Sequence, residues 1–357
     1  MNFNKLIRNF IIGTVSFFVL CALLVWIIDP FFHYHEPYGG LKKVLTEKEY
    51  QCIGSLRNFD YDAVIAGSSV CENYNNAWFD EKYNVKSIKA IRSYGANADL
   101  CWFLGESYKN HELKYVFYNI DPGTLAGGTK LTFEETGCPM YLYDNNPFTD
   151  IEYLLNKDVI LEKIPYMISK SFLDDYDEGE SYNWGQWKSF NSEQTLNLYM
   201  RKSTVQPMNQ EDFYAKECEE NVALLEDLVA SHPDTQFIFF FSPYSFLWWD
   251  NIYRYGDTDA YIRNMKTCCE SLLKYDNAGV FYFLTDEETV TNLDNYMDVL
   301  HFSPEINERI VNMISEGEFE VTEDNLDEIF DKTKEFAGKC VEELIVPYED
   351  VIKIDYK

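Results

Sequence analysis

The longest apolar run in the chain, residues 9–28 ("NFIIGTVSFFVLCALLVWII"), contains no charged side chain. As a helix rising about 1.5 Å per residue, this run matches a hydrocarbon core of about 30 Å, so it predicts one membrane-spanning helix. Lys5 and Arg8 precede it and Asp29 comes directly after, which by the positive-inside rule puts the N-terminus in the cytoplasm. Trp26, Phe31, Phe32 and Tyr34 then fall at the outer interface, where amphipathic rings collect. A cleaved signal peptide is the competing reading; its apolar region is usually shorter, and no small-residue cleavage site stands before Asp29-Pro30. Everything after Phe31 is expected outside the cytoplasmic membrane.

Beyond this span the pattern changes to short apolar runs separated by amphipathic stretches. The runs at 61–66, 85–91, 114–120, 236–241 and 280–284 predict strands; 99–109, 211–230 and 259–275 predict helices. Continuously apolar strands alternating with helices imply an α/β domain whose central parallel sheet is covered on both faces. Residues 127–207 interrupt the alternation with a helical stretch and a loop, "DEGESYNWGQWKSFN", rich in Gly, Trp and Tyr. A long insertion of this kind forms a lid, a cleft wall, a partner surface or a structural cap. The expected organisation is an anchor over residues 1–31, a juxtamembrane segment over 32–60 and a main domain over 61–317. An acidic extension over 318–357 completes it, with one amphipathic helix around 325–344.

The net charge of −30 and a pI near 4.4 exclude a nucleic-acid-binding surface, which needs clustered Lys and Arg. The acid is heaviest after Ser315, as on a solvated, self-repelling face. Of the nine cysteines, Cys21 lies in the apolar span; the other eight show no repeated spacing that marks a disulfide framework or a zinc site. No metal or cofactor is expected, and cysteine pairing is left open.

Two motifs carry chemistry. The stretch "YDAVIAGSSVCENYN", residues 61–75, ends an apolar run abruptly in glycine and two serines. An ordinary strand also ends at a glycine, but this is equally how a strand delivers a serine into a cleft. Near the far end, "NYMDVLHFSPEINERIVNMI" places Asp298 and His301 three residues apart, just before a helix marked by Ser303 as N-cap, Pro304 at N1 and Glu305 in the first turn. A carboxylate at that spacing reaches one imidazole nitrogen and leaves the other for a substrate-side proton. Of the five histidines, His33 and His35 stand at the membrane exit, and His111 and His232 end helices, so His301 is the candidate base.

The pair of blocks Gly67-Ser68-Ser69 and Asp298-Val299-Leu300-His301 resembles the SGNH (GDSL-type) hydrolase superfamily over residues 61–317. With the anchor, the chain is similar to the outward-facing branch related to the lipoteichoic acid D-alanylation accessory protein and to surface-polysaccharide O-acyl-modifying proteins. The segments "VIAGSSVCENY", "VFYNIDPGTL", "FIFFFSPYS" and "NYMDVLHFS" carry that likeness. The resemblance implies an SGNH/flavodoxin-like three-layer sandwich, with Ser69 as nucleophile, His301 as base and Asp298 as orienting acid. It implies an oxyanion hole with an amide from Gly95 and a side-chain donor for which Asn119 is the candidate, although "YNIDPG" lacks the family's Gly-x-Asn-Asp turn. Asn119 can alternatively point into the sheet, and Asn97 is a weaker substitute. The function that the resemblance implies is that of a membrane-anchored extracytoplasmic esterase or O-acyltransferase. Its substrate would be a cell-surface glycan or glycopolymer, and its partner a multi-pass membrane O-acyltransferase. The alternative is a non-catalytic SGNH-like accessory protein that binds glycan or a partner through its aromatic insertion.

Overall fold

Strand β1 (Ala63–Gly67) is buried at every residue, which only a strand covered on both faces tolerates. The computed structural model describes residues 3–356 and pairs β1 with two parallel neighbours, β2 (Ser87–Ile91) and β3 (Tyr115–Asn119). A short pair of strands elsewhere comprises β4 (Met200–Lys202) and β8 (Lys353–Asp355). The main sheet continues with β5 (Gln236–Phe241), β6 (Ala278–Tyr282) and an antiparallel edge, β7 (Glu320–Val321). Its order is β2-β1-β3-β5-β6-β7. The chain therefore starts at β1, steps out to β2 and crosses back to β3. The carboxyl ends of β1 and β3 flank the point where the order reverses, the usual ligand crevice of an open α/β sheet.

Helices Asn97–Tyr108, Ala215–Ser231 and Thr258–Leu272 pack in sequence against one another, and Asn76–Tyr83 packs against Pro304–Glu316. The last of these ends at Gly317, whose φ of +76° suits a left-handed cap that a side chain would strain. The five strands expected from the sequence all form, with no end shifted by more than two residues. Helices Asn76–Tyr83 and Phe246–Arg254 were not anticipated: the first has no clear apolar stripe, and the second lies in an aromatic run, "SPYSFLWW", that reads as core in any conformation.

The chain divides into two compact units. One unit combines residues 3–60 with Phe133–Ser181; the other combines Tyr61–Thr132 with the rest from Tyr182. The insertion is thus split. Residues 133–181 group with the N-terminal segment, whereas the "SYNWGQW" loop past Ser181 belongs with the sheet.

In the first unit, helix Phe3–Ile28 is long and apolar enough to cross a membrane. It stops at Asp29, in left-handed backbone at φ 46°, whose carboxylate accepts the amides of His33, Tyr34 and His35 at 3.0, 2.7 and 3.0 Å. The Tyr153 hydroxyl donates to the same carboxylate at 2.8 Å and accepts the Phe31 amide at 3.0 Å. Helix Lys48–Asn58 lies so close to that turn that a Cβ at Gly54 would stand 2.4 Å from the Phe31 carbonyl oxygen.

The acidic tail is not a separate extension. β7 joins the sheet edge, helix Leu326–Lys339 packs against Thr258–Leu272, and β8 pairs with β4. Carboxylates line the outer face, while Phe330, Phe336 and Cys340 are buried. The amphipathic helix expected around 325–344 forms as Leu326–Lys339, continued by a π turn over Cys340–Leu344. Phe330, whose ring centroid lies 5.2 Å from that of Tyr282, is the direct probe. Phe330→Ala is expected to lower the stability of the sheet-containing unit by about 3–5 kcal/mol in denaturant titrations; an unchanged midpoint would show that the tail is dispensable.

Candidate functional site

Ser69 stands two residues past the end of β1 and opens a short 3₁₀ turn, Ser69–Cys71. The turn is tight because position 67 lacks a side chain: a Cβ there would lie 2.3 Å from Cys71 Sγ and 3.0 Å from Asn119 Cβ. The Gly67 carbonyl accepts the Arg92 amide at 2.9 Å, which extends the β1–β2 ladder to its end.

His301 reaches the same place from the opposite end of the chain. Residues 296–302 form a tight hairpin, closed by a bridge between Tyr296 and Phe302 and by the Met297 amide on the His301 carbonyl at 2.9 Å. The hairpin is stitched to the loop after β5: Tyr296 Oη donates to the Pro243 carbonyl at 2.7 Å, and Ser245 Oγ donates to the Val299 carbonyl at 2.8 Å. Behind it, Asn307 of helix Pro304–Glu316 donates from Nδ2 to the Val70 carbonyl of the serine turn at 3.3 Å. Ser303 stands at the N-cap as expected, but its side chain makes no capping bond.

The result is a continuous chain of bonds. Ser69 Oγ lies 2.8 Å from His301 Nε2, and His301 Nδ1 lies 2.8 Å from Asp298 Oδ2. Asp298 Oδ1 accepts the amides of Leu300 and His301 at 2.9 and 2.8 Å. Because the carboxylate only accepts, it selects the tautomer with hydrogen on Nδ1 and leaves the Nε2 lone pair for the serine hydroxyl. Burial raises the Asp298 pKa, but the imidazole bond, the imidazolium charge and the two amides outweigh it and hold the group below its ordinary value. The side chains of His301 and Asp298 keep 18% and 25% of their exposure, so the pair is open to solvent.

Two neighbours escaped the sequence reading. The Trp184 ring meets His301 edge to face, with centroids 5.3 Å apart and planes at 80°. Asn73, four residues beyond Ser69, holds it there: its Oδ1 accepts the amides of Trp184 and Gly185 at 3.1 and 2.9 Å. Only a glycine fits at 185, where a Cβ would lie 2.8 Å from Pro304 Cγ. The aromatic loop was visible as such in the sequence; the asparagine that anchors it sits in a run, "CENYN", with no chemical signature of its own.

The second neighbour is Asp121, two residues past β3. Its carboxylate takes hydrogen bonds from the Tyr244 hydroxyl and the Ser68 side chain and feels the charge of His301. The residue is partly exposed, yet its carboxyl group is closed in by protein, and that burial outweighs the three stabilising contacts and pushes its pKa up.

The two expected oxyanion donors are turned elsewhere. Asn119 points into the sheet: its Nδ2 donates to Ser242 Oγ at 2.7 Å and to the Phe240 carbonyl at 3.3 Å. Gly95 lies in the loop after β2, and its amide donates to the Arg92 carbonyl at 3.4 Å. Its missing side chain has a packing reason, since a Cβ would stand 2.2 Å from Arg92 Cγ. Asn97 is buried between Asn221 and Tyr118. The remaining histidines are bonded at the edges of structure: His111 and His232 cap helix carbonyls and stack on Tyr61 and Tyr108, His33 meets Asp150, and His35 meets the Trp26 carbonyl. No disulfide joins Cys21, Cys71, Cys101, Cys218, Cys268, Cys269 or Cys340.

A carboxyl whose pKa is raised on folding binds its proton more tightly in the folded state. Its cost to stability is therefore absent below the ordinary carboxylate pKa of about 4 and develops as pH climbs towards the raised value. Asp121→Asn is accordingly expected to raise the melting temperature at pH 7–8, with the gain shrinking as pH approaches 4; a gain independent of pH would contradict the assignment. Comparison of the chain with protein-family models and with curated proteins finds no match.

Proposed function

We propose that this chain is a membrane-anchored serine hydrolase or acyltransferase of the SGNH type, working outside the cytoplasmic membrane through an acyl-Ser69 intermediate on a cell-surface glycan or glycopolymer. The observation that carries this reading is the unbroken Ser69–His301–Asp298 chain at the carboxyl end of β1. Counting only parallel strands, the sheet runs 2-1-3-4-5, the flavodoxin-like order, which supports the three-layer arrangement that the resemblance implies.

Ser69 Oγ attacks the acyl carbon as its proton passes to His301 Nε2. Asp298 stabilises the imidazolium that results, and His301 then gives the proton to the departing oxygen. In the second half, His301 deprotonates water or a sugar hydroxyl, which takes the acyl group and regenerates Ser69. Gly95 is the proposed amide donor to the oxyanion: its 3.4 Å bond to Arg92 is at the weak limit and is the cheaper of the two expected donors to redirect. Trp184 forms one wall of the cleft beside the base, a surface on which a sugar ring stacks. A multi-pass membrane O-acyltransferase is the proposed source of the acyl group, and an N-terminus in the cytoplasm is the proposed topology.

The same oxyanion observation favours a second reading. A scaffold with Asn119 locked to Ser242 and with Gly95 turned inward is what a non-catalytic glycan-binding descendant would keep. Acyl-ester turnover by the full chain and by Ser69→Ala separates the two. The catalytic reading expects the variant to lose at least about a thousandfold in kcat while glycopolymer binding persists. Equal rates in both proteins would leave only the binding module.

A further inference from the structure

The N-terminal unit places part of the insertion alongside the apolar helix rather than above it. The short helix Ile151–Leu154 and the π turn Val159–Lys163 both pack against helix Phe3–Ile28. The covered face consists of Cys21, Ala22, Val25 and Ile28: Val25 has no exposure, the other three are half-buried, and the remaining side chains of that stretch are exposed. From Cys21 to Ile28 is about 10 Å of helix.

Length sets the depth of that stretch. A hydrocarbon core of about 30 Å needs all of the charge-free residues 9–28, whereas residues 9–20 alone supply about 18 Å. The insertion therefore contacts residues that must lie within the outer half of the bilayer. It also carries apolar side chains with no protein cover: Phe148 is 86% exposed, Leu161 73% and Ile151 59%. Exposed Glu152, Lys157, Asp158 and Glu162 share the same segments. Mixed apolar and charged residues suit the boundary between headgroups and acyl chains, not the hydrocarbon centre.

We propose that segment 148–161 is a second membrane-contacting element, a collar around the outer end of the anchor that seats Phe148, Ile151 and Leu161 in the outer-leaflet boundary. Lipid is favoured over a protein occupant because the segments that carry Ile151 and Leu161 pack directly on the helix read as the anchor. Burying three such side chains fixes the rotation and tilt of this unit on the membrane, which a single helix leaves free. The inference rests on reading Phe3–Ile28 as an anchor.

The test uses the full chain in phosphatidylcholine vesicles, with an environment-sensitive fluorophore on Leu161→Cys or Phe148→Cys and on Ser315→Cys as a control. The native thiols are buried or half-buried, so surface labelling selects the introduced one. Bromines placed high on the lipid acyl chains are expected to quench positions 161 and 148 several-fold more than position 315. Equal quenching at all three, in protein that resists carbonate extraction, overturns the collar and leaves the anchor standing. Protein that carbonate strips from the vesicles overturns the anchor, and the collar with it. Position 161 shielded from aqueous thiol reagents in cells but unquenched in vesicles means that a protein covers it, which also overturns the proposal.

Discussion

The site depends on one constraint: a hydroxyl and an imidazole separated by 232 residues of chain must be held within hydrogen-bond distance. The bond itself does not do this, since a neutral hydrogen bond contributes only about 0.5–1.5 kcal/mol net, less than the cost of ordering two loops. The sheet does it instead. β1 fixes the serine turn by parallel pairing on both sides, and the hairpin carrying His301 is tied to the neighbouring strand loop through Tyr296 and Ser245. Asn307 then joins the helix behind the hairpin to the serine turn. The Ser69–His301 contact is a consequence of this frame.

The frame also decides which neighbours the pair has. Asn73 leaves the serine turn to hold the Trp184 loop, which ties the ring beside His301 to the segment that carries Ser69. Asp121 adds a second carboxyl near the pair, one that burial favours in the neutral form, while the His301 bond and two amides favour Asp298 in the charged form.

Much of this was legible in the sequence, for reasons that can be named. The five parallel strands are short runs too apolar to sit on a surface, and Asp298 and His301 lie so close along the chain that local geometry alone joins them. The oxyanion donors were not legible. Whether Asn119 faces the cleft or the sheet depends on Ser242, more than a hundred residues away, and Gly95 has a packing reason for being glycine that its position does not disclose. The two compact units were not legible either, because contact, not order along the chain, defines them: 133–181 groups with the N-terminal segment.

The central claim is that His301 activates Ser69, and covalent trapping tests it most directly. The full chain treated with a fluorophosphonate should gain one phosphonyl group, mapped by peptide mass spectrometry to Ser69, while His301→Ala and Asp298→Ala react far more slowly. Labelling of the unmodified protein that is absent, or that persists equally in His301→Ala, would contradict it.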